Sequence, residues 1–398
     1  MENKFDLILK TTPDYKEVPK FNPTGEFEGI KAITYDAAPI GNMKTKAFAY
    51  IGYPDDVSKK VPAIVLVHGG GGVAYLPWIK KWNERGYAAI AMSNTGDFPI
   101  EINAGHREYP EQKEMWNHGL YGEFIEEGYV DAPDNDSMKN SEKPIEEQWM
   151  YHAVSQVILA HNILRADDKI DSNKIGITGI SWGGVITSLA IGYDTRFAFA
   201  IPVYGSGYLC ENMGFCNYVR YGKNPQLWLA EKRFEKVSMP VLWQCWNSDD
   251  AFSINANSKS YLDTIKNNND TRLSIVHEMY HGHIAGWDRP EPFAFANSVC
   301  KGADRFPTFV CDNIPAISNP DNAEVVFVKL YYLTEPLFYN TDENGSPHME
   351  QEWNIIDCEY ENDEVKYEIP DEAREYYFEI EFKINGGNYI TTSPYIQR

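Results

Sequence analysis

Residues 174–185 have the sequence KIGITGISWGGV, which predicts an apolar strand, a tight turn with one serine, and the start of a helix. Gly179, Ser181 and Gly183 match the G-x-S-x-G pattern of a turn that exposes a nucleophilic hydroxyl. A side chain at either glycine would collide with the neighbouring strand or helix, so glycine is favoured at both positions. The N-terminus of the following helix favours negative charge developing beside the serine. The stretch therefore predicts Ser181 as a nucleophile.

The alternative for this stretch is a chance match in a glycine-rich turn. Its surroundings argue against chance, because β-type residues precede it and apolar residues follow it at helical spacing. Those residues are Val185, Ile186, Leu189 and Ala190.

Composition restricts the classes of function. The chain has 398 residues, of which 43% are hydrophobic and 14% aromatic, enough for a large domain and a smaller one. Its formal net charge of −22 argues against nucleic-acid partners, which need clustered Lys and Arg, and against an anionic membrane surface. We expect a small-molecule substrate, and the composition leaves a homo-oligomer open.

Cysteine usage and the first residues predict a reduced, cytoplasmic location. The six cysteines are scattered without C-x-x-C pairs. Residues 1–6 lack the basic and apolar regions of a signal peptide, and no apolar run is long enough to span a membrane.

An alternation of strands and helices predicts an α/β fold with a mostly parallel central sheet. Residues 61–67 form a continuous apolar run, as expected for a strand that is buried on both faces. A helix with Trp78 and Trp82 follows, and then the strand 88–92. The same alternation resumes around Ser181 and continues to a last helix at 292–302.

Two irregular segments interrupt this alternation within the predicted catalytic domain, residues 1–311. Residues 94–143 are polar and acidic, which is typical of an insertion that could serve as a lid or a subunit contact. Residues 205–238 carry many aromatic side chains, which could cover the core or line a pocket above the serine.

The pattern changes at about residue 312. Residues 325–332, 365–369 and 376–384 have strand character, and Asn385-Gly386-Gly387 is typical of a hairpin turn. We predict a small accessory β-sandwich over 312–398, with sugar binding as one possible role.

A serine nucleophile needs a histidine base and an acid that orients the histidine. In the chain order Ser, Asp, His, the acids Asp249 and Asp250 follow one predicted strand, and the histidines His281 and His283 follow the next. We favour Asp249 as the acid and His281 as the base, while Asp250 and His283 stay open. A metal on the His-Gly-His pair is disfavoured because no third spaced ligand accompanies it, and no cofactor is expected.

Two backbone N–H groups should form the oxyanion hole. One belongs to Trp182, the residue after the nucleophile, and the other to the loop His68-Gly69-Gly70-Gly71-Gly72, with Gly70 favoured. A phosphate-binding loop is the alternative, but no Lys-Ser or Lys-Thr pair follows these glycines.

Four segments together resemble a known group. The loop 68–72, Trp149-Met150-Tyr151-His152-Ala153-Val154, residues 179–184 and Pro202-Val203-Tyr204-Gly205 are similar to bacterial alpha/beta-hydrolases of the acetyl xylan esterase and cephalosporin-C deacetylase type, relatives of dienelactone hydrolases and prolyl oligopeptidases. The resemblance covers about residues 30–305. It implies an alpha/beta-hydrolase fold, a Ser181–Asp249–His281 triad and hydrolysis of small acyl esters, often acetyl groups on sugars.

Three functions remain as hypotheses. The first is a serine ester hydrolase. The second is a small aminopeptidase-like hydrolase, and only about sixty residues precede the first core strand, too few for the propeller of prolyl oligopeptidases. The third is a non-catalytic carbohydrate-binding protein on a hydrolase scaffold.

Overall fold

The computed structural model describes residues 4–95, 98–101, 120–122, 127–133, 135–136, 138–211, 225–312, 314–341, 347–361 and 364–398. Two large β-sheets organise these residues. The strands are β1 (Tyr15–Glu17), β2 (Lys31–Ile40), β3 (Met43–Gly52), β4 (Val61–Val67), β5 (Ala88–Met92), β6 (Phe98–Glu101), β7 (Leu120–Gly122), β8 (Ile170–Ile180), β9 (Phe199–Val203), β10 (Leu242–Trp246), β11 (Arg272–Val276), β12 (Thr308–Asp312), β13 (Ile314–Ser318), β14 (Glu324–Leu333), β15 (Asn340–Thr341), β16 (Pro347–His348), β17 (Asn354–Glu361), β18 (Glu364–Lys366), β19 (Glu375–Ile384), β20 (Gly387–Thr392) and β21 (Ile396–Gln397).

Helices pack against the first sheet, as the β–α alternation predicts. They are α1 (Asp6–Lys10), α2 (Leu76–Asn83), α3 (Trp149–Ala166), α4 (Trp182–Tyr193), α5 (Pro225–Trp228), α6 (Ile254–Thr264), α7 (His283–Asp288) and α8 (Glu291–Lys301). Short 3-10 helices span Pro19–Phe21, Gly25–Phe27, Ile145–Glu147, Leu209–Glu211 and Ala230–Lys236. None of the helices in the described ranges has the length and apolar character needed to cross a bilayer.

The first sheet has the strand order β1-β2-β3-β5-β4-β8-β9-β10-β11. Strands β5, β4, β8, β9, β10 and β11 pair in parallel, whereas β1, β2 and β3 are antiparallel to their neighbours. The predicted mostly parallel α/β sheet is therefore confirmed. The carboxyl ends of its parallel strands lie along one edge, where sheets of this kind place their sites.

Local sequence explains where several elements begin and end. Strand β4 has the predicted bounds because both of its faces are buried. Helix α6 begins after Ser253, whose Oγ accepts the Ala256 N–H at 3.1 Å, and α8 ends at Gly302 in the left-handed region with φ 69°. Strand β11 pairs with β10 along its whole length, from Arg272 to Val276.

The second sheet is antiparallel, with the order β12-β13-β18-β17-β14-β19-β20 and β21 paired to β19. It confirms the predicted C-terminal β-sandwich as a separate, sandwich-like sheet. Its first strand begins at Thr308, so the predicted boundary at 312 falls at the end of β12.

Most of the predicted insertion at 94–143 lies outside the described residues. Within it, β6 and β7 form a two-stranded antiparallel pair. Residues 212–224 of the second irregular segment also lie outside the described residues.

Candidate active site

Ser181 occupies the turn between β8 and α4. Its φ of 58° and ψ of −121° are rare for a residue with a side chain, and the helix that follows begins at the next residue. The Ser181 N–H donates to the Val203 carbonyl at 3.0 Å, which ties the turn to β9. The serine is thus held in a strained backbone conformation of the kind that accumulates at functional sites.

The two glycines of the motif are required by close packing. A Cβ on Gly179 would lie 2.1 Å from the Gly183 carbonyl oxygen, and a Cβ on Gly183 would lie 2.0 Å from the Val67 carbonyl oxygen. Neither backbone could move aside without displacing the turn. The pattern therefore has the steric cause that the sequence suggested.

His281 connects the serine to an acid. Its Nε2 lies 2.9 Å from the Ser181 Oγ, and its Nδ1 lies 2.9 Å from the Asp249 Oδ2. The other carboxylate oxygen of Asp249 accepts the N–H groups of Ala251 and Phe252 at 2.9 and 2.8 Å. Asp249 is buried, and both oxygens of its carboxylate have hydrogen-bond partners, one in the backbone and one in the imidazole of His281.

The electrostatic setting suits a base. Burial alone would lower the pKa of His281, but the hydrogen bond and negative charge of Asp249, with a smaller contribution from Asp250, raise it overall. The side chain of His281 is 26% exposed, so a substrate can approach it.

The remaining acid and base candidates have other positions. The Asp249 carboxylate, not that of Asp250, meets His281. The Nε2 of His283 accepts the Gly69 N–H at 2.9 Å, 214 residues away in sequence. A third histidine near these residues, His277, follows β11, and its Nδ1 accepts from the Asn247 Nδ2 at 3.0 Å.

Two histidines, His68 and His283, bind the backbone of Gly69 in the glycine loop, residues 68–72. The Asn94 N–H donates to the Nε2 of His68 at 3.0 Å, so the proton of this imidazole resides on Nδ1. That Nδ1 donates to the Gly69 carbonyl at 2.8 Å, while His283 accepts the Gly69 N–H. Burial, with the nearby His68 and His281, lowers the pKa of His283 to about 3, which keeps its acceptor nitrogen neutral.

The glycine loop lies directly against the serine turn. A Cβ on Gly69 would be 3.0 Å from the Ser181 Cβ, and a Cβ on Gly70 would be 2.9 Å from the Trp182 Cδ1. Because His283 uses the Gly69 N–H, the next N–H of the loop belongs to Gly70. The loop and the N-terminus of α4 thus meet beside the serine, as an oxyanion hole requires.

Comparison with known families agrees with this geometry. Residues 140–291 match the prolyl oligopeptidase family. This range includes the serine turn, the loop that carries Asp249 (the acid loop), and both His281 and His283. The chain is a serine hydrolase with the alpha/beta-hydrolase fold. No curated protein matches the hydrolase.

Solved structures similar to the hydrolase include esterases and peptidases. Acetyl xylan esterase 1 from Thermoanaerobacterium sp. is 10% identical with a TM-score of 0.49, over 74% of this chain and 92% of that chain. A glucuronoyl esterase from Solibacter usitatus is 12% identical with a TM-score of 0.48, over 72% and 86%. An acylaminoacyl peptidase from Pyrococcus horikoshii is 17% identical with a TM-score of 0.48, over 76% of this chain but only 45% of that chain.

The two histidines of the His-Gly-His pair do not converge on one point. The Nε2 of His281 faces Ser181, whereas the Nε2 of His283 faces the Gly69 N–H. Among the described residues of the hydrolase, no group of three or more His, Cys, Asp or Glu side chains could hold a metal.

Two tyrosines near the site were not predicted. The Tyr204 hydroxyl donates to the Gly282 carbonyl, between the two histidines, and its ring lies 4.6 Å from the His281 ring. The Tyr339 hydroxyl, from the C-terminal region, donates to the Asp249 carbonyl at 2.8 Å. Tyr204 lies in one of the segments that carry the family resemblance, whereas no local pattern marks Tyr339.

The aromatic segment 205–238 is described only in part. Trp228 is buried and its Nε1 donates to the Gln148 Oε1 at 2.8 Å, while the Tyr208 hydroxyl donates to Asp263. These two side chains thus make structural contacts. Three other aromatic residues of this segment, Phe215, Tyr218 and Tyr221, for which core packing and pocket lining were both open, lie outside the described residues.

Proposed function

We propose that this serine hydrolase cleaves carboxylic esters with small, acetyl-type acyl groups. His281 takes the proton of Ser181 as the Oγ attacks the ester carbonyl, and Asp249 stabilises the imidazolium that forms. The N–H groups of Gly70 and Trp182 hold the oxyanion. The alcohol leaves with the proton from His281, and a water activated by His281 then releases the acid from Ser181.

One observation carries this proposal. The Ser181 Oγ, the His281 imidazole and the Asp249 carboxylate form a continuous chain of hydrogen bonds, each 2.9 Å long. This is the hydrogen-bonding reach that a serine nucleophile, its base and its orienting acid require.

Two features support an ester as the substrate. The His-Gly-Gly-Gly-Gly loop at 68–72 is of the type found in lipases and esterases. The four segments that resemble acetyl xylan esterases and cephalosporin-C deacetylases support a short acyl group, with acylated carbohydrates as candidate substrates.

Peptide hydrolysis is the second candidate, because residues 140–291 match the prolyl oligopeptidase family. The same triad and oxyanion donors would serve an amide. An amide differs in needing its leaving nitrogen protonated by His281 before the bond breaks.

Hydrolysis of 4-nitrophenyl esters from acetate to octanoate, beside aminoacyl 4-nitroanilides, separates the two candidates. We expect the highest kcat/KM with the acetate. Ser181→Ala should lose turnover, while its circular dichroism spectrum should match that of the wild type. Anilide cleavage that exceeds ester cleavage would favour the peptidase. Wild-type ester turnover in Ser181→Ala would overturn the assignment of Ser181.

A further inference from the structure

We propose that the C-terminal region, residues 308–398, is a working part of the active site, in which Tyr339, in the segment after β14, and Tyr377, on β19, position the loop that carries Asp249. This inference rests on the proposed role of Asp249 in orienting His281. It assigns a function to the C-terminal region that does not depend on binding a sugar.

The C-terminal sheet is fixed to the edge of the first sheet by buried contacts. The Ile275 N–H, on β11, donates to the Thr392 Oγ1 at 3.3 Å, and the Tyr395 N–H donates to the Ser258 Oγ at 2.9 Å. Thr392 has no exposed surface and Tyr395 is 6% exposed. The sheet therefore offers a firm support next to the end of β10.

Tyr339 holds the main chain of the acid itself. The Asp249 carboxylate is bound by His281 and by the backbone of its own loop, but its carbonyl accepts the Tyr339 hydroxyl at 2.8 Å. Ninety residues separate the two in sequence. The peptide that sets the direction of the carboxylate is thus anchored from outside the hydrolase fold.

Tyr377 anchors the start of the same loop, at Asn247. The side-chain amide of Asn247 donates one N–H to the Tyr377 hydroxyl at 3.0 Å and the other to the His277 Nδ1 at 3.0 Å. Tyr377 is fully buried and stacks on Tyr331 with ring centroids 4.9 Å apart and an interplanar angle of 1°. This stacking fixes the hydroxyl that Asn247 meets.

Small movements of the loop matter because Asp249 acts through a single hydrogen bond. A misplacement of the reacting groups by about 1 Å, caused by a change far from the chemistry, can cost on the order of 100-fold in rate. Loss of one tyrosine hydroxyl should move the Asp249 carboxylate by less than that distance. We therefore expect each hydroxyl deletion to slow the reaction of Ser181 by about 5- to 20-fold.

The test uses the full-length chain with Tyr339→Phe, Tyr377→Phe and the control Tyr376→Phe. Tyr376 neighbours Tyr377 on β19, and its ring packs against Phe378 and Arg398, away from the acid loop. The readout is the second-order rate of Ser181 labelling by a fluorophosphonate, measured against pH. This rate requires the triad but does not depend on the natural acyl group.

We expect slower labelling in Tyr339→Phe and Tyr377→Phe and a shift of the acid limb to lower pH, because a weaker contact with Asp249 stabilises the imidazolium of His281 less. Tyr376→Phe should label within about twofold of wild type. A purely structural role would lower the melting temperature without moving the acid limb. Wild-type rates and an unshifted limb in folded Tyr339→Phe would overturn the inference, even if Tyr377→Phe does not fold.

The outcomes separate this inference from the proposed function. A wild-type chain that is labelled but cleaves no ester would contradict the ester substrate and leave the positioning test readable. A wild-type chain that is not labelled at all would overturn both.

Discussion

The Nε2 of His283 accepts a hydrogen bond from the Gly69 N–H at 2.9 Å, and this contact joins the His281-Gly282-His283 segment to the glycine loop. The carbonyl of the same glycine accepts from the Nδ1 of His68 at 2.8 Å. Both polar groups of Gly69 are therefore used by imidazoles. The second histidine of the His-Gly-His pair thus supports the loop beside the proposed oxyanion site, and its Nε2 faces the Gly69 N–H and not the serine.

The substitution His283→Phe should lower kcat by about 10- to 100-fold with little change in KM. It keeps a ring of similar size but leaves the Gly69 N–H without its acceptor, so the loop should shift away from the oxyanion. Steady-state kinetics on the best substrate measure this change. His283→Gln, which keeps an acceptor, should recover part of the loss, and a wild-type kcat in His283→Phe would contradict the role of this contact.

The two adjacent aspartates should differ sharply in their effect on rate. Asp249→Asn should lower kcat by about 10,000-fold, since an amide supports the wrong imidazole tautomer and cannot stabilise the imidazolium. Asp250→Asn serves as the matched control and should retain activity within a few fold. Comparable losses in both variants would contradict the assignment of Asp249.

The sequence predicted the elements that carry strong local patterns. Strands β4 and β5 have their predicted bounds because a strand buried on both faces is a continuous apolar run. Gly179 and Gly183 likewise mark the serine turn, because the packing there excludes any side chain.

Contacts between distant segments left no such pattern. Nothing in the local sequence separates Asp249 from Asp250. The contact of His283 is with Gly69, 214 residues upstream. Tyr339 meets Asp249 only because the C-terminal sheet packs beside β11, which no spacing in the sequence reveals.

The activity should fall on acidification with a midpoint above the ordinary histidine value of about 6.5. Burial lowers the pKa of His281, but the Asp249 hydrogen bond and charge raise it overall, and only the neutral imidazole can accept the Ser181 proton. A pH profile of kcat/KM measures the free enzyme. An acid limb with its midpoint below the ordinary histidine value would contradict this balance, and Asp250→Asn should move the limb slightly to lower pH.

The substitution Gly70→Ala should lower kcat by about 10- to 100-fold with little loss of stability. The new methyl group would lie 2.9 Å from the Trp182 ring, so either the glycine loop or the start of α4 must move. Both elements carry the proposed oxyanion donors. Kinetics combined with a melting curve test this, and unchanged kcat would place the donor elsewhere in the loop.

Glu379 should make the stability of the C-terminal sheet depend on pH near neutrality. It is 5% exposed, and its Oε1 accepts the Tyr331 hydroxyl at 3.2 Å. Burial raises its pKa to about 7, so the folded protein holds this proton more tightly than the unfolded chain does. The stabilising contribution of the proton is complete below about pH 4.3 and is lost as the pH rises through about 7.

The neutral variant Glu379→Gln should therefore show a weaker decline in melting temperature between pH 5 and pH 8 than wild type. The difference in unfolding free energy across this interval should reach roughly 2 to 3 kcal/mol, since one pKa unit corresponds to about 1.4 kcal/mol. Glu381→Gln is the control. Glu381 lies on the same strand, and its carboxylate accepts a hydrogen bond from the Asn388 side chain, so this variant should keep the wild-type dependence of melting temperature on pH. Equal slopes in Glu379→Gln and wild type would show that Glu379 is ionised throughout, and the sheet would then owe its pH response to other groups.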